Sequence, residues 1–200
     1  YSRAMFVVLI VLWTCLQTGL SQFVGRGGCP KLDVKHPFDP RKYMGCWYQQ
    51  ESFGTELFQG VGKCVRATYS LRSTGIVDVY NTQEAVSSTG QPRSINGTAG
   101  LKDPVKNEGK LVVTFSVPVV GKVKSDYWVL DTDYNNYALV FSCFGIGNLA
   151  HTEAGWILTR HRNSSEETEN KVNDALKRAG IPRNRFKKTD QENCESKGCN

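Results

Sequence analysis

The residues best equipped for chemistry are cysteines: Cys29, Cys46, Cys64, Cys143, Cys194 and Cys199 follow an apolar leader that carries a seventh, Cys15. Thiols can attack substrates, ligate metals or oxidise to disulfides, and their spacing helps decide which. No Cys-x-x-Cys pair occurs, and His36, His151 and His161 stand at no ligand-like interval, so no metal site is expected. No Ser/His/Asp or paired-carboxylate arrangement appears in the strand-like stretches, and the chain is not read as an enzyme. Six thiols in an oxidising compartment are expected to form disulfides, although spacing alone leaves roughly 15 pairings open.

That compartment is indicated by the leader. Arg3 precedes an apolar run from Ala4 to Leu16, and Gly19-Leu20-Ser21 supplies small residues for cleavage before Gln22, so residues 1–21 read as a secretory signal and the product as extracellular. Residues 22–200 then fit one domain large enough to enclose a core and a ligand. The formal charge of +6 is spread along the chain with no block of five like charges, which gives no reason to expect nucleic acid as a partner. Arg183, Arg185, Lys187 and Lys188 form the densest basic cluster and read as a solvated tail. Asn96-Gly97-Thr98 and Asn163-Ser164-Ser165 are sequons, making Asn96 and Asn163 candidate glycan sites.

The elements that must position these residues are mostly short strands. Val, Ile, Tyr, Phe and Thr concentrate in Trp47–Glu51, Lys63–Arg72, Ile76–Glu84, Arg93–Leu101, Lys110–Val117, Ser125–Asp133, Tyr137–Cys143 and Gly155–Arg160, separated by Gly-, Asn- and Ser-rich turns. Eight strands with hairpin-length links predict an all-β, up-and-down antiparallel barrel, closed to remove its edges and wide enough for one small ligand. One C-terminal helix is signalled by a Ser164/Glu167 capping box, by Val172, Ala175, Leu176 and Ala179 at helical spacing, and by Gly180 as a stop. Its apolar stripe is expected to cover the outer barrel wall.

Three motifs fall in order along this pattern. They are Gly45-Cys46-Trp47-Tyr48 opening the first strand, Thr132-Asp133-Tyr134 ending the sixth, and Arg160 ending the eighth. Together they resemble the lipocalin family over nearly the whole mature chain. Trp47 is large enough to plug one end of a barrel, and Arg160 can lie over its indole face, so Gly45, Trp47, Thr132, Asp133, Tyr134 and Arg160 are assigned to a closed floor.

Within the family, the stretches Lys42–Tyr48, Tyr127–Cys143 and Trp156–Arg160 look most like apolipoprotein D and the arthropod bilin-binding and Lazarillo-like proteins. The resemblance implies disulfides Cys29–Cys143 and Cys64–Cys194. Cys46 and Cys199 depart from the subgroup, leaving three readings: a third bridge, two free thiols or intermolecular pairing. Adjacent strand residues face opposite ways, so an inward Trp47 turns Cys46 outward, within reach of the C-terminal tail, and the third bridge is favoured.

The same alternation, with bridged cysteines outward, turns Val65, Ala67, Tyr69 and Leu71 inward on the second strand, with Ala138, Val140, Ser142, Trp156 and Leu158 inward on the last two. By resemblance, Phe115 and Tyr127 join them, followed by Val77, Val79, Asn81 and Gln83. This apolar, aromatic lining suits a small hydrophobic ligand, with Tyr69, Gln83 or Ser142 to orient one polar group. The subgroup often places charges where Gln83 and Ala85 stand here, which removes the usual partner of a ligand carboxylate. A carrier of lipid, sterol, bilin, carotenoid or retinoid is therefore expected, with no required cofactor and any bilin, carotenoid or lipid held non-covalently. The alternatives are a scaffold for receptor or pigment-complex contacts, homo-oligomeric, and a thiol-dependent lipid isomerase. Apart from these, Phe53, Leu57, Phe58, Phe144, Ile146 and Leu149 read as apolar tips at the open end that gate entry, touch a lipid or lipoprotein surface or fold over the mouth.

Overall fold

A computed structural model describes residues 25–200 except 57, 88, 118, 197 and 200; the expected leader and Leu57 lie outside the described residues. The strands are β1 (Gly25–Arg26), β2 (Gly45–Phe53), β3 (Lys63–Leu71), β4 (Val77–Glu84), β5 (Arg93–Leu101), β6 (Lys110–Val117), β7 (Gly121–Thr132), β8 (Tyr137–Ile146), β9 (Ala150–Thr159) and β10 (Lys187–Lys188). Two α-helices join them, α1 (Pro40–Tyr43) and α2 (Glu166–Ala179). They are arranged in two compact units, residues 31–142 with 154–200, and residues 25–30 with 143–153.

In the larger unit β2 to β9 are sheet neighbours in chain order, and β9 pairs back onto β2, from Tyr48 opposite Thr159 to Phe53 opposite Gly155. This closes an eight-stranded antiparallel barrel. Its strands run longer than the sequence pattern implied: β2 starts at Gly45, β7 at Gly121 and β9 at Ala150. Thr132 and Thr159 are the last strand residues, so Asp133, Tyr134 and Arg160 lie just beyond, at the closed end.

The β2–β3 seam is short. Beyond Tyr48 opposite Arg66, β2 turns to β10, with Lys187 opposite Ser52 and Lys188 opposite Glu51. The chain then bridges the gap: Thr189 N donates to Gln50 O at 2.8 Å, Cys64 N donates to Asp190 O at 2.7 Å, and the Gln191 amide donates to both Gln49 O and Val65 O. Residues 187–191 are wall, not the solvated tail the charges suggested. The basic cluster is bound as well, because Arg183 pairs with Glu51 and Glu169, Lys187 pairs with Glu56, and Arg185 lies over Phe53. Phe53 is accordingly no loop tip; it is buried edge-on against Phe186.

The smaller unit pairs Gly25 with His151 and Arg26 with Ala150, bridges Cys29 to Cys143, and holds His151 Nδ1 2.9 Å from Gly27 O. Phe144, Ile146 and Leu149 are exposed on its hairpin.

Helix α2 starts one residue later than the capping-box reading placed it. Ser165 is the cap: its Oγ accepts from Thr168 N at 3.2 Å, while Glu167 in the first turn pairs with Lys171 four residues on. This register buries Thr168, Val172, Ala175 and Leu176 together, and Gly180 ends the helix in the left-handed region. In protein made without glycans, Ser165→Ala is expected to cost about 1 kcal/mol by urea denaturation. Ser164→Ala should be near neutral, since Ser164 Oγ is buried without a partner. Equal losses would contradict this cap.

Candidate functional site

The closed end is built around Trp47, which is fully buried. The Arg160 guanidinium lies 3.6 Å from its ring centroid. Its donors go to the carbonyls of Tyr134 (2.9 Å), Cys46 (2.8 Å) and Lys42 (3.2 Å), and the indole N–H donates to Tyr43 O at 2.9 Å. Burial lowers the Arg160 pKa, opposed by Tyr43, Tyr69 and Asp133. Gly45 has φ of 92°, and an added Cβ would come 3.3 Å from the guanidinium, so the motif's glycine serves both the turn and the close approach.

Thr132 and Asp133 organise the β7–β8 turn. Thr132 Oγ1 donates to Tyr137 O, and Asp133 Oδ1 accepts from the backbone N–H groups of Asn135, Asn136 and Tyr137. Burial alone would raise the Asp133 pKa, but these bonds and those from the Asn136 side chain lower it. The Tyr134 hydroxyl accepts from Asp39 N, tying the turn to the segment that enters α1.

Above the floor the inward positions open progressively. Val129 and Val140 are 0% exposed, Tyr127, Phe115 and Trp156 are half-buried, and Ile95 and Val123 near the far end reach 37% and 41%. Exposure of the inward positions thus rises away from the floor, so the barrel is sealed at the Trp47 end and open at the other. Gly97, opposite Phe115, leaves room for that ring: a Cβ there would meet it at 2.6 Å.

The residues assigned to the lining divide by depth. Tyr69, Ala138, Val140 and Leu158 belong to the buried cluster around Trp47, with Phe115, Tyr127 and Trp156 packed on its upper side. Ser142 is buried with Oγ 3.0 Å from Ser125 Oγ. Gln83 is buried and its amide donates to Gln59 O at 3.3 Å. Leu71, expected inward, is 37% exposed at the strand's end, and Val65 sits at a bulge between Lys63 and Arg66, buried but outside the central cluster.

Beyond apolar members of the buried cluster such as Phe38, Ala99, Leu111, Val113 and Val129, the sequence reading did not place Gln49, Gln59 or Tyr43 inside. Gln49 shares Trp47's face by period two and was legible in principle. Gln59, in the β2–β3 loop, donates to Gln49 Oε1 at 2.9 Å and accepts from Trp156 Nε1 at 3.3 Å, and nothing local in the sequence signals this. Tyr43, on α1, places its hydroxyl 2.9 Å from that of Tyr127, which lies 3.0 Å from that of Tyr69.

Burial, the leading cause, pushes Tyr69 up to about 12 against the lowering effects of Tyr127 and Arg160; it also raises Tyr43 and Tyr127 well above the ordinary value.

All six described cysteines are bonded: Cys29–Cys143, Cys64–Cys194 and Cys46–Cys199. Cys199 N donates to the Tyr48 hydroxyl, which shares Cys46's side of β2. Asn96 and Asn163 are both exposed.

A closed eight-stranded antiparallel barrel with a Trp–Arg floor at one end is the class of β-protein whose interior is either filled by side chains or holds one small molecule. The chain belongs to the lipocalin family: a Lipocalin-like domain matches residues 38–191. It is 37% identical over 171 residues to apolipoprotein D of Macaca fascicularis, across 84% of this chain and 85% of that protein. It is 36% identical over 166 residues to the Lazarillo protein of Schistocerca americana, across 82% of this chain and 75% of that one. Among solved structures, insecticyanin from the tobacco hornworm Manduca sexta superposes with TM-score 0.74 at 27% identity, covering 84% of this chain and 88% of its own. Lobster apocrustacyanin A1 gives 0.69 at 26%, covering 84% and 91%.

The tyrosine cluster predicts an alkaline limit to stability. Unfolded tyrosines ionise near about 10, while the folded cluster keeps its protons, so its contribution is complete below that pH and lost as pH rises from about 10 through about 12. Urea midpoints at pH 8, 10 and 11 should fall more steeply in wild type than in a Tyr43→Phe/Tyr69→Phe/Tyr127→Phe variant. Parallel slopes would refute it. Replacing Arg160 by Met should cost about 2–4 kcal/mol in the same assay, since three carbonyls lose their donor.

Proposed function

We propose that the protein is a secreted, extracellular carrier that buries one small hydrophobic molecule in the barrel without covalent change. The observation that carries this reading is the exposure gradient of the inward positions: a sealed floor at Trp47 and, above it, half-buried Phe115, Tyr127 and Trp156 around a hollow. Such a surface gains the hydrophobic effect when a lipid, sterol, bilin, carotenoid or retinoid displaces water. With every described cysteine bonded, the described residues offer no thiol nucleophile of the kind an isomerase would use. The three disulfides fit an oxidising compartment, and exposed Asn96 and Asn163 suit glycan attachment there.

Contact with a lipid or lipoprotein surface belongs to the same reading, because an apolar cargo passes most readily from an apolar surface. Exposed Phe58 and Val61 in the β2–β3 loop of the larger unit are its support, and the smaller unit, taken by itself, exposes Phe144, Ile146 and Leu149.

Trp156 reports on the hollow directly. Titrating purified protein with retinol, biliverdin, cholesterol, a carotenoid and a long-chain fatty acid should give saturable fluorescence quenching by at least one of them at one molecule per chain, and Trp156→Phe should abolish most of the change. Quenching by none of them would sink the carrier reading.

A further inference from the structure

The hydroxyls of Tyr43, Tyr69 and Tyr127 do not balance as a closed set. Tyr127 is the hub, 2.9 Å from the Tyr43 oxygen and 3.0 Å from the Tyr69 oxygen, and these are the only hydroxyl contacts the three make among the described residues. Three hydroxyls carry three protons, and each oxygen–oxygen contact uses one. Whichever way the protons turn, one O–H is left without an acceptor. A buried donor in that state is costly, so native structures normally supply it a partner.

The deficit can be met from the lumen. Tyr43 and Tyr69 stack at 5.7 Å, and Tyr43 packs on Trp47 beneath. Tyr127 faces inward on β7, is only half-buried, and lies beside Trp156 with ring centroids 6.3 Å apart. Most other polar groups around the hollow have partners in the chain; Asn81 Oδ1, on the inward face of β4, is buried with none, and as a lone acceptor it does not take up the surplus tyrosine proton. The Trp156 indole N–H and the Gln49 and Gln83 amides are engaged with Gln59, and Ser142 contacts Ser125, which donates onward to Asp126 O.

We propose that the inner end of the lumen is a hydrogen-bond-donating seat for a neutral oxygen acceptor, a ketone, ester or ether oxygen at the leading end of the ligand, received by the hydroxyl triad of Tyr43, Tyr69 and Tyr127. This rests on the carrier reading and specifies its ligand. A group that only donates would leave the surplus proton unplaced. Among the described residues an anion finds no free cation at this end of the lumen: Arg160, the charge beneath the cluster, gives its donors to three backbone carbonyls and its face to Trp47, so a carboxylate would lose its hydration without an ion partner. Burial raises all three tyrosine pKa values, which keeps them protonated as donors.

The test uses the mature, disulfide-bonded protein with three matched probes: 2-decanone, decane and decanoate. The ketone is expected to bind wild type about three- to tenfold more tightly than the Tyr43→Phe/Tyr69→Phe/Tyr127→Phe variant, the worth of one hydrogen bond, while decane binds both alike. Decanoate should bind wild type less tightly than the ketone. With a 13C-labelled carbonyl, the bound ketone's infrared stretch should move to lower wavenumber in wild type and return toward its value in alkane in the variant. The infrared measurement on wild type stands even if the variant fails to fold. An unshifted carbonyl, equal loss of ketone and decane affinity in a folded variant, or tighter binding of decanoate would overturn the seat and leave the carrier reading intact. If none of the three probes binds wild type, the carrier reading falls with it.

Discussion

The guanidinium of Arg160 over the indole of Trp47 is the contact on which the rest of the barrel depends. Arg160 follows the last residue of β9 directly, and its backbone N–H is bonded to Asn136 O in the β7–β8 turn. Its side chain reaches the carbonyls of Tyr134 in that turn, Cys46 at the start of β2, and Lys42 in α1. One residue thus joins the two strands whose pairing closes the sheet to the turn and helix that cover its end. A planar, permanently charged fork is suited to this, because it can stack on an aromatic face while its edges donate in several directions. With the floor fixed, the inward residues nearest it are buried and those toward the other end are progressively more exposed.

Outside the wall, order is imposed by charge as well as by apolar contact. Glu51 faces outward on β2 yet is nearly inaccessible, and Arg183 meets it while also bonding Glu169 and Asn173 of α2. Buried pairs of this kind contribute little net stability once desolvation is counted, but breaking one partner leaves a costly unpaired charge. Their effect here is to fix where α2 and the segment after it meet β2. Arg178 to Asp131 and Lys171 to Asp133 hold the helix to β7 and its turn in the same way.

What could be read in advance follows from which interactions are local. Strand number, helix register to within one residue and the inward set on β8 and β9 come from alternation and turn chemistry acting over a few residues, as with Ala138, Val140 and Ser142 or Trp156 and Leu158. The floor motif was legible because Gly45, Trp47 and Arg160 are of types few other roles demand. Alternation loses its hold at the bulge between Lys63 and Arg66, which breaks the period at Cys64 and Val65; Leu71 keeps the period, opposite Val77, and is exposed where the strand ends. Gln59 and Tyr43 lie outside strands, so no periodicity points them inward, and their roles come from partners 10 to 97 residues away. The basic run at 183–188 misled for a related reason: charge composition is blind to a carboxylate 132 residues distant waiting for one of its arginines.

The tail carries two of the three disulfides, and the wall explains why. Residues 187–191 supply hydrogen bonds that β2 and β3 lack where they diverge, so losing the tail would expose unpaired backbone on both strands. A segment this short cannot hold itself there by apolar burial. The Cys64–Cys194 bridge spans 130 residues and on loop-closure entropy contributes about 5 kcal/mol. With that bridge made, Cys46–Cys199 no longer closes its full 153-residue separation. The effective loop shrinks to about two dozen residues, and the entropic gain to about 3 kcal/mol. Its larger effect is positional, because it anchors the last residues beside Cys46, whose carbonyl is already held by Arg160. The floor and the tail therefore meet at Cys46, and Cys199 is tied to the contact that closes the barrel.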